Sequence, residues 1–441
     1  MQPLKSLFVT AALAALLTAL ALGCRPPAAA NVIRFRYWGD ADEVGIIEGL
    51  VKDFEAANPG VEVRPERKDT DGYADALYVE LASHRAPDVM FMSTDNIDIL
   101  ADSDQLADLA PWLARDPDLK ASDYYDAMMQ RFTKGSRLLV LPRDIAPVSC
   151  IYYNRDLFAQ AGLMAPGDDW SWDELRLDAL ALTRRDKDGT ARQLGFADDW
   201  NLVDAWMVAG GGRQLDDFSN PTRFTFAEDG ALEGILFRYR LLQVDKVMPS
   251  TGDNQAISSG SMAWFLNGKL GMFHSGLWKT PGFRKITAFH WDVAPFPHKT
   301  GVQARYWCSG SGYAMRSDAT SPELCWKLIK FMAGPVGEAR MASTGLAQPA
   351  LMALAASPAF LDGQDPHNKK MLLACAQKAL PNPSWKPWVE FGRTLFSPLS
   401  DPMWIKGYTG DPKALVKSIQ DKANARYFPA ARPTKEPVEK P

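Results

Sequence analysis

Trp278 stands just past a short, mostly apolar run, Lys269 to Phe273, and two residues after Gly276. A run of that length reads as a buried strand. The carboxyl end of a strand is where open α/β sheets bind ligands. A large flat aromatic there can stack on the apolar face of a sugar ring; the same residue would also serve as ordinary core. Four further residues carry hydrogen-bonding chemistry near strand ends: Asp40, Asp95 and the pair Arg143-Asp144. Carboxylates accept from hydroxyls and a guanidinium donates to them. Asp40 and Asp95 suit helix N-caps equally well. The Arg143-Asp144 pair would otherwise be a surface ion pair of little value.

Several constellations are missing. The five histidines, His84, His274, His290, His298 and His367, show no HExxH or CxxC-type metal spacing. His274 reads as a structural histidine. There is no GxSxG elbow and no Walker loop, and Gly210-Gly211-Gly212 reads as a flexible turn rather than a phosphate loop. Any two carboxylates can meet in space to hydrolyse a glycoside, but no pair is singled out by position. An aromatic share of 11% with 14 Trp suits carbohydrate stacking and suits a core.

The elements that would position these groups follow from periodicity. Val32 to Tyr37 alternates apolar residues with Arg34 and Arg36, a strand that ends at Trp38-Gly39-Asp40. Ile47, Leu50, Val51 and Phe54 then form one face of a helix, stopped by Asn58-Pro59-Gly60. Strands are expected at Val61–Arg64, Val89–Met92, Arg137–Leu141, Val148–Tyr153 and from Gly195 toward Trp200. Pro142-Arg143-Asp144 would close the third of these. Met262, Phe265 and Leu266 share a helical face, and Gly268 reads as its stop. His274-Ser275-Gly276 would turn the chain. Further strands are expected within Phe289–Pro297 and Arg305–Met315, and a helix over Glu323–Met332. From Gly345-Leu346-Ala347-Gln348-Pro349 to Tyr427 the pattern is helical, with Trp385, Trp388 and Trp404.

With 441 residues, 46% of them hydrophobic and 23% charged, the chain can bury two or three cores. A net charge of −4 gives no basic footprint for nucleic acid. Residues 1–23 carry Lys5 and an apolar stretch, the pattern of a secretory signal peptide. Ala21-Leu22-Gly23-Cys24 resembles a bacterial lipobox, with Ala21 where Leu is usual, and would leave Cys24 as a lipidated N-terminus. A plain signal peptide cut elsewhere is the alternative. Residues 24–31 read as a tether, and residues 428–441, rich in Pro and charge, as a disordered tail.

The pattern Phe265-x-x-Gly268-Lys269-Leu270-x-Met272, then Gly276-x-Trp278, resembles the extracellular sugar-binding proteins of ABC importers. So do Pro87-Asp88-Val89 leading into a strand and Tyr152-Tyr153-Asn154-Arg155-Asp156-Leu157-Phe158. The likeness spans roughly residues 32 to 425. It implies an α/β protein of two lobes, the periplasmic-binding-protein fold, with a ligand cleft between lobes joined by crossing strands. Lobe 1 would take 32–147 and 309–347, and lobe 2 would take 148–308 and 348–427. The implied ligand-facing residues are Trp38, Asp40, Asp95, Arg143, Asp144, Trp200, Trp264, Trp278, Trp307, Ser309 and Trp388. The implied function is capture of a carbohydrate or polyol and its delivery to permease subunits, by a monomer held at the membrane through Cys24. No metal, cofactor, nucleic acid or reaction is expected. A secreted hydrolase or lyase, and a sensor subunit, are the rival readings. Cys150 and Cys308 would lie on neighbouring crossing strands, close enough for a disulfide or as two buried thiols.

Overall fold

The computed structural model describes residues 31–69, 72–94, 97–101, 104–147, 150–199, 203–250, 253, 260–405 and 407–429. Cys24, Asp95 and Trp200, with the rest of residues 1–30, lie outside the described residues. Fourteen strands are described: β1 Val32–Tyr37, β2 Glu62–Arg67, β3 Val89–Ser93, β4 Thr133–Lys134, β5 Arg137–Leu138, β6 Leu141–Pro147 and β7 Cys150–Asn154. They continue with β8 Arg184–Arg185, β9 Ala191–Asp198, β10 Leu270–Ser275, β11 Trp291–Pro295, β12 Tyr306–Met315, β13 Gln348–Pro349 and β14 Ala379–Pro381. The first sheet runs β13-β6-β12-β3-β1-β2, with β14 against β12. The second runs β11-β7-β10-β9-β8. Both sheets are mixed: in the first, β1 is parallel to β2 and β3 whereas β12 is antiparallel to β3 and β6, and in the second, β10 is parallel to β9 and antiparallel to β7.

In β1 the apolar residues Ile33, Phe35 and Tyr37 fill the first core. The intervening arginines bind Glu66 of β2, Arg34 at 2.7 Å and Arg36 at 2.6 Å. Helix Ala41–Ala57 buries Ile47, Leu50, Val51 and Phe54 as its spacing predicts. Helix Gly260–Leu266 ends in paired bonds: the Gly268 N–H donates to the Phe265 carbonyl and the Lys269 N–H to the Trp264 carbonyl, both at 2.9 Å. Gly268 sits at φ +66°, which only glycine adopts cheaply. That helix turns Ala263, Trp264 and Phe265 inward, so Leu266 is left exposed.

Three local expectations change. His274 and Ser275 do not turn the chain; they extend the β10 ladder, opposite Ile151 and Cys150 of β7. The strand expected over Arg137–Leu141 is split into β5 and β6, and β6 continues through Pro142, Arg143 and Asp144. A register irregularity at Ser311/Gly312 of β12 accommodates Pro142, which has no N–H for the ladder. At the far end, Phe428 is no loose tail: its ring stacks on Trp385 at 5.2 Å.

Each sheet has its own core. The first gathers residues from Ile33 to Ile145 and from Cys308 to Ala355. The second gathers residues from Cys150 to Trp307, then Phe360, Met371 and Leu372. A third cluster seats the C-terminal helices against Val203, Met207, Phe224 and Phe226. Two lobes result. The chain passes from one sheet to the other between β6 and β7, and again within the amino end of β12, where Trp307 packs in the second core and Cys308 in the first. It stays with the first core through Ala350, Leu351 and Ala355, past the expected boundary at 347.

Candidate functional site

A cleft of about 580 Å³ lies where the two lobes meet. The first lobe supplies the strand ends: Trp38 to Asp40 after β1, Ser93 of β3, Arg143 to Ala146 of β6, and Ser309 to Ser311 of β12. The second lobe supplies Leu277, Trp278 and Lys279, which follow β10. Leu346 to Gln348, leading into β13, closes one side.

The polar floor is a buried network of Glu43, Arg143, Asp144 and Ser311. Arg143 Nη1 donates to Glu43 Oε1 at 3.0 Å. Its Nε and Nη2 donate to Asp144 Oδ2 at 2.8 and 2.7 Å. Asp144 also accepts from the Ser311 N–H at 2.9 Å and from the Ser311 hydroxyl at 2.5 Å. The guanidinium carbon lies 4.2 Å from the centre of the Phe91 ring, a cation–π contact. Burial opposes the Arg143 charge, but Asp144, Tyr313 and Glu43 more than offset it and raise its pKa. Burial pushes the Glu43 carboxyl above its usual range, while Arg143 pulls it down. Gly39 makes this reach possible: a Cβ there would sit 2.8 Å from Glu43 Cγ.

Asp40 is the N-cap of helix Ala41–Ala57, and its Oδ1 accepts from the Asp42 and Glu43 N–H groups at 3.1 Å each. The same residue lines the cleft. Trp38 is braced by aromatic contacts to Tyr73 at 4.6 Å and Phe91 at 4.1 Å.

Trp278 packs against both main cores. Its ring covers Gly276, where a Cβ would fall 1.9 Å from Cζ3, so the Gly-x-Trp spacing is a packing requirement. Beside it Lys279 lies 3.5 Å from Asp199 Oδ2, and the Ser275 hydroxyl donates to that oxygen at 3.0 Å. Burial holds the Asp199 carboxyl above its usual range, against the pull of Lys279 and Ser275.

Of the residues singled out in the sequence, Trp38, Asp40, Arg143, Asp144, Trp278 and Ser309 are brought together on this cleft. Trp264 and Trp307 are instead buried in the second core. Trp388 lines a different cavity, between the C-terminal helices and helix Val203–Ala209. Cys150, Cys308, Cys325 and Cys375 are free, buried thiols, so Cys150 and Cys308 form no disulfide. Burial, and after it the neighbouring Cys375 thiol, push the Cys150 thiol up. Sequence reading missed Glu43, Ser311, Lys279 and Gln348. Glu43 alone left a signal: it precedes Ile47 by four residues, on the helix's apolar stripe.

Two lobes with sheet ends facing a shared cleft, a hydrogen-bonding floor and an aromatic roof define a ligand-binding protein of the two-lobe periplasmic type. The chain belongs to the bacterial extracellular solute-binding proteins, whose family profile matches residues 40–339. It is 32% identical over 189 residues to an uncharacterized lipoprotein in the oleD 5' region of Streptomyces antibioticus, covering 42% of this chain and 41% of that one. It is 23% identical over 294 residues to the maltodextrin-binding protein MdxE of Bacillus subtilis (strain 168), covering 65% and 66%. The chain thus spans less than half of the first relative and 66% of the second. Its fold matches the ABC substrate-binding protein Lmo0181 from Listeria monocytogenes in complex with cycloalternan. There the TM-score is 0.77 at 21% identity, over 90% of this chain and 98% of that one.

Proposed function

We propose that this protein captures a carbohydrate, an oligosaccharide or a related polyol, outside the cytoplasmic membrane and delivers it to the permease subunits of an ABC importer. The cleft carries this reading: Trp38 and Trp278 line it together with the charged hydrogen-bonding groups Asp40, Glu43, Arg143, Asp144 and Lys279. Asp40, Asp144 and Glu43 accept from hydroxyls, Arg143 and Lys279 donate, and Trp38 and Trp278 stack on the sugar ring. Closing the lobes about the crossing strands buries the ligand. The maltodextrin-binding relative and the cycloalternan complex support the choice of ligand class.

The test is a titration of the full chain with maltotriose, a cyclic glucan and a polyol, with the mixtures analysed for product. Saturable binding with the ligand recovered intact is expected. Product release would favour the secreted carbohydrate-active enzyme, and no binding of any of the three would end the carbohydrate reading.

The same proposal places the protein at the membrane as a monomer anchored through Cys24, which the lipoprotein relative supports. Cys24→Ser is expected to move the protein from the membrane fraction to the soluble one. A native N-terminus found free and downstream of residue 24 would refute the anchor.

A further inference from the structure

Two exposed ion pairs join the lobes, and neither lies on a strand that crosses between them. The first joins Lys285 to Asp42, with Nζ 2.6 Å from Oδ1. Asp42 stands in the first turn of helix Ala41–Ala57, which packs in the first core, and lies in sequence between the cleft residues Asp40 and Glu43. Lys285 follows helix Thr280–Phe283, which continues from the second-lobe cleft residues Leu277 to Lys279. The second joins Arg393 to Asp75, with Nη1 3.1 Å from Oδ2. Asp75 belongs to helix Tyr73–Ala82, whose Tyr73 packs in the first core and meets the Trp38 ring of the cleft. Arg393 belongs to the turn Gly392–Phe396, between Phe391 and Leu395 of the cluster that seats the C-terminal helices against Val203 and Met207.

The lobes fit closely around the first pair. A Cβ at Gly282 would stand 3.7 Å from Asp42 Oδ2. One at Gly345 would stand 2.6 Å from Thr280 Cγ2. Arg284 Nη1 donates to the Ser343 carbonyl at 2.9 Å, near the end of helix Pro335–Thr344, whose Met341 packs in the first core. Residues 280–285 of the second lobe thus touch two helices of the first. Both ion pairs stand in water: Lys285 and Asp42 are 69% and 34% exposed, Arg393 and Asp75 55% and 64%. Pairs of this kind add little to folding and are screened by salt. Here each spans two bodies, and a contact made in only one of two arrangements shifts the balance toward that arrangement.

We propose that Lys285–Asp42 and Arg393–Asp75 are electrostatic latches that hold the lobes closed, so that ionic strength sets how long a captured solute stays. The latches rest on the capture reading for their ligand, and on the two-lobe fold alone for their effect on the empty chain.

The test uses the full chain with Lys285→Glu and Arg393→Glu together, which turn both attractions into repulsions at exposed positions. Lys52→Glu with Lys187→Glu, also exposed and in neither pair, makes the same change in net charge. Release of maltotriose is timed by stopped-flow tryptophan emission from about 0.01 M to about 1 M NaCl, across which the screening length falls from about 30 Å to about 3 Å. The unaltered chain should release about threefold faster at the high end, the scale of losing two exposed pairs. The latch variant should release faster than the unaltered chain at low salt and slow down as salt rises, because salt then screens a repulsion. Small-angle X-ray scattering of the ligand-free chain should give it a larger radius of gyration at low salt, which the control pair does not show. Release indifferent to salt in both chains, or a control pair that behaves as the latch variant does, would overturn the proposal. Should maltotriose not bind, the capture reading loses that ligand and the scattering decides the latches: an unchanged radius overturns them and a raised one supports them.

Discussion

Arg143→Ala is expected to destabilise the folded chain by about 3–5 kcal/mol at pH 7, the scale of removing one partner from a buried ion pair. Arg143 is 5% exposed, Asp144 4% and Glu43 9%, so both carboxylates are left largely buried without their cationic partner when the guanidinium goes. The loss depends on pH in a definite direction. Burial holds the Glu43 carboxyl above its ordinary 4.5, so the folded chain binds that proton more tightly than the unfolded chain. Stability from such a group is full below 4.5 and is lost as pH rises through the folded value. Without Arg143 the folded value rises further, because Arg143 is the partner that lowers it. The deficit of the variant should therefore be larger at pH 7 than at pH 4.5. Urea unfolding at both pH values measures it, and Glu43→Gln added to Arg143→Ala should restore part of the loss. A deficit below 1 kcal/mol, equal at the two pH values, would show that the network does not hold the floor together.

Trp278→Ala is expected to weaken carbohydrate binding by about 1–3 kcal/mol, the worth of one buried aromatic contact. That is a factor of roughly 5–150 in Kd. The ring packs on both lobes, so the ligand loses a stacking face and the closed arrangement loses a shared contact. Gly276→Val is the companion variant. Its side chain must displace the Trp278 ring, which lies where a Cβ would be. It should lose affinity on a similar scale while every other cleft side chain is retained. Unchanged Kd in well-folded Trp278→Ala would remove Trp278 from the site.

What could be read beforehand was whatever depends on neighbours in sequence. The alternation in β1, the stripe Ile47-Leu50-Val51-Phe54 and the Gly268 stop are local, and they appear as expected. Trp38, Asp40 and Trp278 were reachable because a residue just past a strand faces the sheet's end whatever the sheet's partners are. Ser311 and Gln348 were not. Ser311 meets Asp144 only because β12 pairs with β6 across more than 150 residues, a register no local pattern encodes. Gln348 reaches the cleft through the short pairing of β13 with β6. Trp264 and Trp307 show the opposite failure. Their type suited a sugar, but helix and strand phase point them into the second core. Trp388 is placed by C-terminal helices whose packing the sequence leaves open. Glu43 was hidden by convention, since an acidic residue in a first turn is ordinary capping chemistry.

The position of β12 governs how the molecule can come together as it is made. β12 lies between β3 and β6, yet more than 150 residues of chain, including most of the second lobe, separate it from either. Until Tyr306–Met315 leaves the ribosome, β3 and β6 have no neighbour to bridge them, and the first sheet is two unjoined halves. A nascent chain of this design cannot complete its amino-terminal lobe early. Its long-range pairings make folding slow and late. Under the proposed placement outside the cytoplasmic membrane, that delay would keep the chain threadable while its first segment crosses.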